Sequence, residues 1–239
     1  MGTRNGLVYR APDGRVLVFQ ERDGLAGGTV FSIIESEAVD GGPRVLVGTS
    51  RGVSRFNGSA FEPLALPPTF SPLALMLAEG EAPDGAAELW VGSTRGGVAR
   101  LHRGAWRVFA APDGLTAASV EHLVALPGDT GSELYAAGAG GVFRLRRDAE
   151  GERFERLPGS PDNAYRVEVV PDAAPVGAGR PGHSLWVGTD DGRIVRWDGA
   201  TWHPVSTRLS DTHGSITMLR HLPGHGGGSA VYAAARGAY

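Results

Sequence analysis

The phrase "ELWVGSTRGGVARLHRGAWRVF" at residues 88–109 returns, little altered, as "SLWVGTDDGRIVRWDGATWHPV" at residues 184–205. Self-similarity at long range constrains a fold more tightly than any local motif, because a repeated unit has to bury its apolar face against its own copies. With the glycine of "LWVG" as a marker, equivalent positions fall at Gly2, Gly48, Gly92, Ala137, Gly188 and Ala234. Successive markers stand about 45 residues apart, the length of a four-stranded propeller blade.

Each unit divides into four short strand-like runs. The first is apolar: 29–35, 73–79, 119–126, 165–170 and 215–222. The second carries the "LWV" or "LYA" signature, and the third follows a glycine turn and ends on Arg plus an apolar residue ("GVSRF", "GVARL", "GVFRL", "RIVRW"). The fourth centres on an aromatic, at 60–64, 105–109, 153–157 and 201–205. Runs of this length, rich in β-branched and aromatic residues and bounded by Gly, Asn and Asp, are strand and hairpin signals. The chain has Gly 37 and Pro 16, a surplus that fits many tight turns. The fold predicted is therefore all-β, a propeller forming one domain over residues 1–239.

The chain opens on third- and fourth-strand material ("GLVYR", "RVLVF") and closes on first- and second-strand material ("SITMLRHL", "AVYAAA"). Pairing the two ends would complete a fifth blade and leave no long sheet edge. The terminal "RGAY" duplicates part of the opening "RNGLVY", the overlap expected of a segment of a longer propeller.

At "LWVGTDDGRIVRW" and "LWVGSTRGGVARL", each preceded by a "DGL" or "LS" loop, the sequence resembles two-component regulator propeller repeats. The likeness runs along essentially the whole chain, with a degenerate repeat at 134–157 where Ala136 and Ala137 replace the usual Val and Gly. It implies a sensor propeller of the kind found in the periplasmic region of hybrid histidine kinases and related proteins, where ligands are thought to bind. A periplasmic setting rests on that resemblance alone. No apolar leader follows Met1, which reads as a cytosolic chain or one whose targeting segment has been removed.

A net charge of -3, with 23 basic residues that are all Arg, gives no broad footprint for nucleic acid or an anionic membrane. There is no cysteine, so thiol chemistry is excluded. The stretch "GAGRPG" (177–182) matches a dinucleotide fingerprint in letters only, since Pro181 and the following strand forbid the helix that fingerprint needs. His213, His221 and His225 lack a helix to bring them onto a metal. No nucleophile elbow, zinc-protease or phosphate-loop motif is present. The expectation is a protein without enzymatic activity, metal or cofactor.

The aromatics Trp90, Tyr135, Trp186 and Tyr232 of the second strands, and Phe61, Trp106, Phe154 and Trp202 of the fourth, read as packing between sheets. Variable polar residues on a repeated scaffold mark the site instead. Loops joining second to third strands offer Arg51, Arg95, Asp190 and Asp191, and loops joining fourth to first strands offer Asp23, Asp113, Asp211 and His213. Alternation along the first strands adds Glu121, Tyr165 and Thr217 near the channel mouth. Arg51 and Arg95, from adjacent units, could share one oxyanion. The expected ligand is small and anionic or polyhydroxylated. The alternatives are a scaffold for a protein partner and, less favoured, a propeller lyase or hydrolase.

Overall fold

The computed structural model describes residues 1–42, 44–71, 73–171, 182–206, 214–223 and 229–236. Its strands form six antiparallel sheets, each taken in chain order. The first sheet holds β1 (Gly2–Thr3), β2 (Gly6–Arg10) and β3 (Val16–Phe19). Blade 1 follows with β4 (Val30–Ser36), β5 (Arg44–Thr49), β6 (Gly52–Phe56) and β7 (Phe61–Leu64). Blade 2 is β8 (Ala74–Glu81), β9 (Ala87–Ser93), β10 (Val98–His102) and β11 (Ala105–Phe109). Blade 3 is β12 (Ser119–Leu126), β13 (Glu133–Ala139), β14 (Gly141–Asp148) and β15 (Gly151–Arg156). Blade 4 is β16 (Ala164–Pro171), β17 (His183–Thr189), β18 (Ile194–Trp197) and β19 (Trp202–Ser206). The last sheet holds β20 (Ile216–Pro223) and β21 (Ser229–Ala235). The architecture is all-β and propeller-like.

First strands of neighbouring sheets lie side by side, from β4 through β8, β12 and β16 to β20. They form the inner side of the array. Between successive sheets the apolar faces interdigitate. Trp90, Phe109, Leu115, Val120, Leu134, Phe143 and Phe154 fill the space between blades 2 and 3, and Tyr135, Val142, Leu157, Val167, Leu185 and Val187 that between blades 3 and 4. Each fully buried side chain of this size contributes roughly 1.5–3 kcal/mol, so stability is spread over the blade interfaces.

Two kinds of glycine hold the repeat together. Turn glycines such as Gly52, Gly96 and Gly192 have positive φ, as their place between second and third strands demands. The marker glycines have a different reason. A Cβ on Gly92 would stand 2.9 Å from Val120, and one on Gly188 would stand 2.4 Å from Ile216. These positions are small so that the next inner strand can approach.

The "DGL" loops are short 3-10 turns at Glu21–Asp23 and Ala111–Asp113. Asp23 and Asp113 accept the backbone N–H of Gln20 and Ala110, which fixes both carboxylates in turn capping. Leu25 and Leu115 are buried beneath them.

The ends do not close as expected. Among the described residues β21 pairs with β20 alone, and the first sheet is separate. The reason lies in the place beside β2: β1 already fills it, with Gly2 opposite Leu7 and Thr3 opposite Gly6. Both ends carry a second strand, so one would have to be displaced for the other to pair. The five-blade count depended on closure and gives way to four complete blades flanked by two partial sheets among the described residues. Tyr232, on the last sheet, is accordingly 55 % exposed and not part of a core. "GAGRPG" up to Pro181, together with Asp211, His213, His225 and the final "GAY", lies outside the described residues.

Candidate functional site at the channel mouth

Every inner strand carries a β-bulge at the same point, leaving one residue without a partner on the second strand: Phe31, Leu75, Glu121, Tyr165 and Thr217. A bulge re-aims the side chains around it. The next residue pairs with the marker position: Ser32 with Gly48, Met76 with Gly92, His122 with Ala137, Arg166 with Gly188, Met218 with Ala234. From there a side chain can reach the unpaired backbone edge of the adjacent inner strand. Ser32 Oγ accepts Leu77 N–H at 3.1 Å, and the His122 ring bonds the Val167 backbone.

Arg166 uses this position most fully. Its Nε donates to the Thr217 carbonyl at 2.9 Å, and its Nη1 to the carbonyls of Glu121 at 2.8 Å and Tyr165 at 3.2 Å. One guanidinium thus ties β12, β16 and β20 together at the level of the bulges, with Cζ 4.8 Å from the Tyr165 ring centre. Burial lowers its pKa from the usual arginine value, while Tyr165 and Glu121 act in the opposite sense. Nη2 carries no bond among the described residues.

His122 is held neutral beside it. Burial, then the Arg166 and Arg220 charges, pull its pKa down to about 3 against the bond to Val167. The charges of Arg166 and of the exposed Arg220 thus act together on an uncharged imidazole, and Glu121 acts on Arg166 in the opposite sense. Such an arrangement can receive an oxyanion at the free edge of the Arg166 fork.

The residues expected from the sequence are distributed as follows. Glu121, Tyr165 and Thr217 do meet, through their carbonyls on Arg166. Arg51 pairs with Glu21, whereas Arg95 lines a separate cleft with Phe70 and Thr116; the two arginines share no partner among the described residues. Asp190 accepts the Asn163 side-chain amide at 2.5 Å. Asp191 is bound by Thr189 Oγ1 and by Arg193 Nε at 2.8 Å. Burial raises its pKa, but the Thr189 and Arg193 bonds outweigh that and hold it at about 2. Asp191 is thus tied into its own turn, whereas Asp190 is held by Asn163 in the loop that precedes β16. Asp211 and His213 lie outside the described residues.

Sequence reasoning missed Arg166, His122 and Arg220. The signal for the first two is positional: they are the register partners of the marker residues Gly188 and Ala137. A one-residue bulge hides that register from any count of alternation.

No protein-family model matches the chain, and no curated protein matches it in sequence. Solved structures do share its fold. A catalytically inactive virginiamycin B lyase from Staphylococcus aureus, crystallised with quinupristin, has 14% identity and a TM-score of 0.59 over 88% of this chain and 66% of that one. The extracellular domain of a one-component system from B. thetaiotaomicron has 16% identity and a TM-score of 0.59, over 97% of this chain and 32% of that one. PorZ, a bacterial surface component of the type-IX secretion system of Porphyromonas gingivalis, has 15% identity and a TM-score of 0.56, over 95% and 35%. The chain thus spans between about a third and two thirds of the length of these proteins. The lyase corrects the expectation that the chain has no enzymatic activity. Propellers of this fold include an enzyme, and catalytic groups contributed by separate blades leave no linear motif.

Proposed function

We propose that the chain is a ligand-binding sensory module of the two-component regulator propeller type, acting outside the cytoplasm, with a small anionic or polyhydroxylated ligand at the channel mouth. The observation that carries this reading is the Arg166 guanidinium, anchored on three inner-strand carbonyls with Nη2 left over. Anchoring orients the fork before the ligand arrives, which lowers the ordering cost of binding. The anion contact thereby moves from Arg51 and Arg95 to Arg166 and Arg220. The fold shared with extracellular domains of one-component and hybrid two-component systems supports the sensory role and the compartment.

Calorimetric titration with inorganic phosphate, citrate and glucuronate tests it. At least one should bind wild type and bind at least about tenfold more weakly to Arg166→Gln and to the exposed Arg220→Gln. Undiminished binding in Arg220→Gln and Arg166→Gln, or no binding of any of the three, overturns the reading.

A second reading, a scaffold for a protein partner, has one observation in its favour. Apolar side chains stand exposed on both end sheets, Tyr9, Val16 and Val18 on the first and Met218, Leu222 and Tyr232 on the last. Exposed apolar clusters of this kind mark interaction surfaces.

A further inference from the structure

The third strands of blades 1, 2 and 3 each place an arginine beside the second-strand signature, as Arg196 stands beside Trp186 in blade 4. Arg55 pairs in register with Leu46, Arg100 with Trp90 and Arg144 with Tyr135. All three guanidiniums face the next blade, and the carboxylates they meet differ. Arg55 has Asp40 and Glu62. Arg100 has Glu88 of its own blade and Glu152 from blade 3. Arg144 has Glu133 alone among the described residues.

Arg144 lacks the carboxylate from the next blade that Arg100 has, and the cause is hairpin length. Between blades 2 and 3, the space in front of Arg100 is filled by the β14–β15 hairpin, which runs on to Asp148 and Gly151 and brings Arg147 and Glu152 against the Glu88–Arg100 pair. In blade 4 the corresponding hairpin stops at Trp197 and Trp202. Among the described residues no chain reaches the place in front of Arg144. A cleft of about 560 Å³ remains, walled by Arg144, Arg146, Leu157, Pro158 and Trp197. Glu133 keeps Arg144 at 2.8 Å and the Tyr135 hydroxyl at 2.7 Å, so its two oxygens are already engaged, and Glu155 likewise engages Arg146.

We propose that this cleft is a binding site for a small carboxylate with an aromatic or aliphatic body, whose carboxyl group meets Arg144 as Glu152 meets Arg100 one interface away. Trp197, Leu157 and Pro158 supply the apolar wall for the body of the ligand, the combination of a few convergent polar groups and apolar lining that small-molecule sites show. The site is separate from the channel mouth and shares no residue with it.

Phenylacetate serves as the probe and phenylacetamide as its uncharged counterpart, with binding read by calorimetry and by tryptophan fluorescence. Phenylacetate should saturate wild type below about 10 mM and bind at least about tenfold more tightly than the amide. Arg144→Gln should abolish that preference. Ala200→Trp, which fills the cleft from the β18–β19 turn without touching any ion pair, should abolish binding and keeps the test decisive if Arg144→Gln fails to fold. Arg166→Gln and Arg220→Gln should leave phenylacetate binding unchanged, which separates this site from the channel mouth. Equal affinity for acid and amide, undiminished binding in Ala200→Trp, or no saturation by phenylacetate overturns the proposal.

Discussion

Two interfaces built from the same repeat end in opposite states. Between blades 2 and 3, Glu88 is fully buried between Arg100 and Arg147, with side-chain exposures of 0%, 13% and 13%. Glu152 joins Arg100, Arg107 and Arg147, and Arg100 and Arg147 lie 5.5 and 5.9 Å from the Trp90 ring centre. Between blades 3 and 4, the equivalent Glu133 and Arg144 are 29% and 31% exposed. The strands and the signature positions are the same. A few residues of hairpin decide whether the charged pair is sealed inside or left facing a cleft. A buried charge must be compensated or it destabilises the fold, so the sealed interface depends on all of its partners and the open one does not.

The harshest way to break this contrast is at the aromatic centre. Trp90→Ala should cost about 3–5 kcal/mol, as expected for a ring with no exposed surface, while Trp197→Ala at the cleft should cost about 1–2 kcal/mol. Urea unfolding of the two variants measures both, and equal losses would mean that the two interfaces carry the same load. The ion pairs come next. Glu88→Gln removes the buried carboxylate between Arg100 and Arg147, leaving them Glu152 as their shared carboxylate, and should cost about 3 kcal/mol, whereas Glu133→Gln, in a partly solvated pair, should cost no more than about 1 kcal/mol.

Acid should sharpen the comparison from the inner side, where His122 joins blade 3 to Val167 of blade 4. Its folded pKa lies near 3, below the ordinary histidine value of about 6.5. Within that window the unfolded chain binds the extra proton, so stability is complete above about pH 6.5 and falls as the pH drops toward 3. Glu152 adds to the loss at the lower end. Burial raises its pKa, but Arg100 and then Arg147 outweigh that and hold it below the usual glutamate value, so the stability it contributes is present above about pH 4.5 and lost below. Melting temperatures of wild type and His122→Gln between pH 7 and pH 5 isolate the histidine part. The variant should be nearly flat over that range while wild type declines. The smallest effect belongs to Arg51→Ala, which removes an exposed pair with Glu21 and should change stability by less than about 0.5 kcal/mol in thermal unfolding.

Much of the fold is written in the repeat. Strand order, the turn glycines and the buried aromatics Trp90, Phe61 and Phe154 follow from the recurrence of "LWVG", glycine turn and aromatic at fixed offsets. The candidate site was legible only in part. Glu121, Tyr165 and Thr217 were found by their equivalent positions, yet they act through their carbonyls, which any residue would provide. Arg166 escaped because it stands one place beyond a bulge, and a bulge shifts the face of every following residue without changing the composition.

The sequence by itself determined the blades, because hydrogen bonding within a four-stranded unit and the alternation of apolar residues are local and repeat with the chain. Only the tertiary structure decided how the blades meet. Whether β21 displaces β1 beside β2, whether a hairpin covers Arg144, and whether Arg166 reaches the carbonyls of Glu121 and Thr217 depend on contacts between residues at least 45 positions apart. No single repeat contains both partners of such a contact, so close packing across the interface settles it and the pattern within one blade does not.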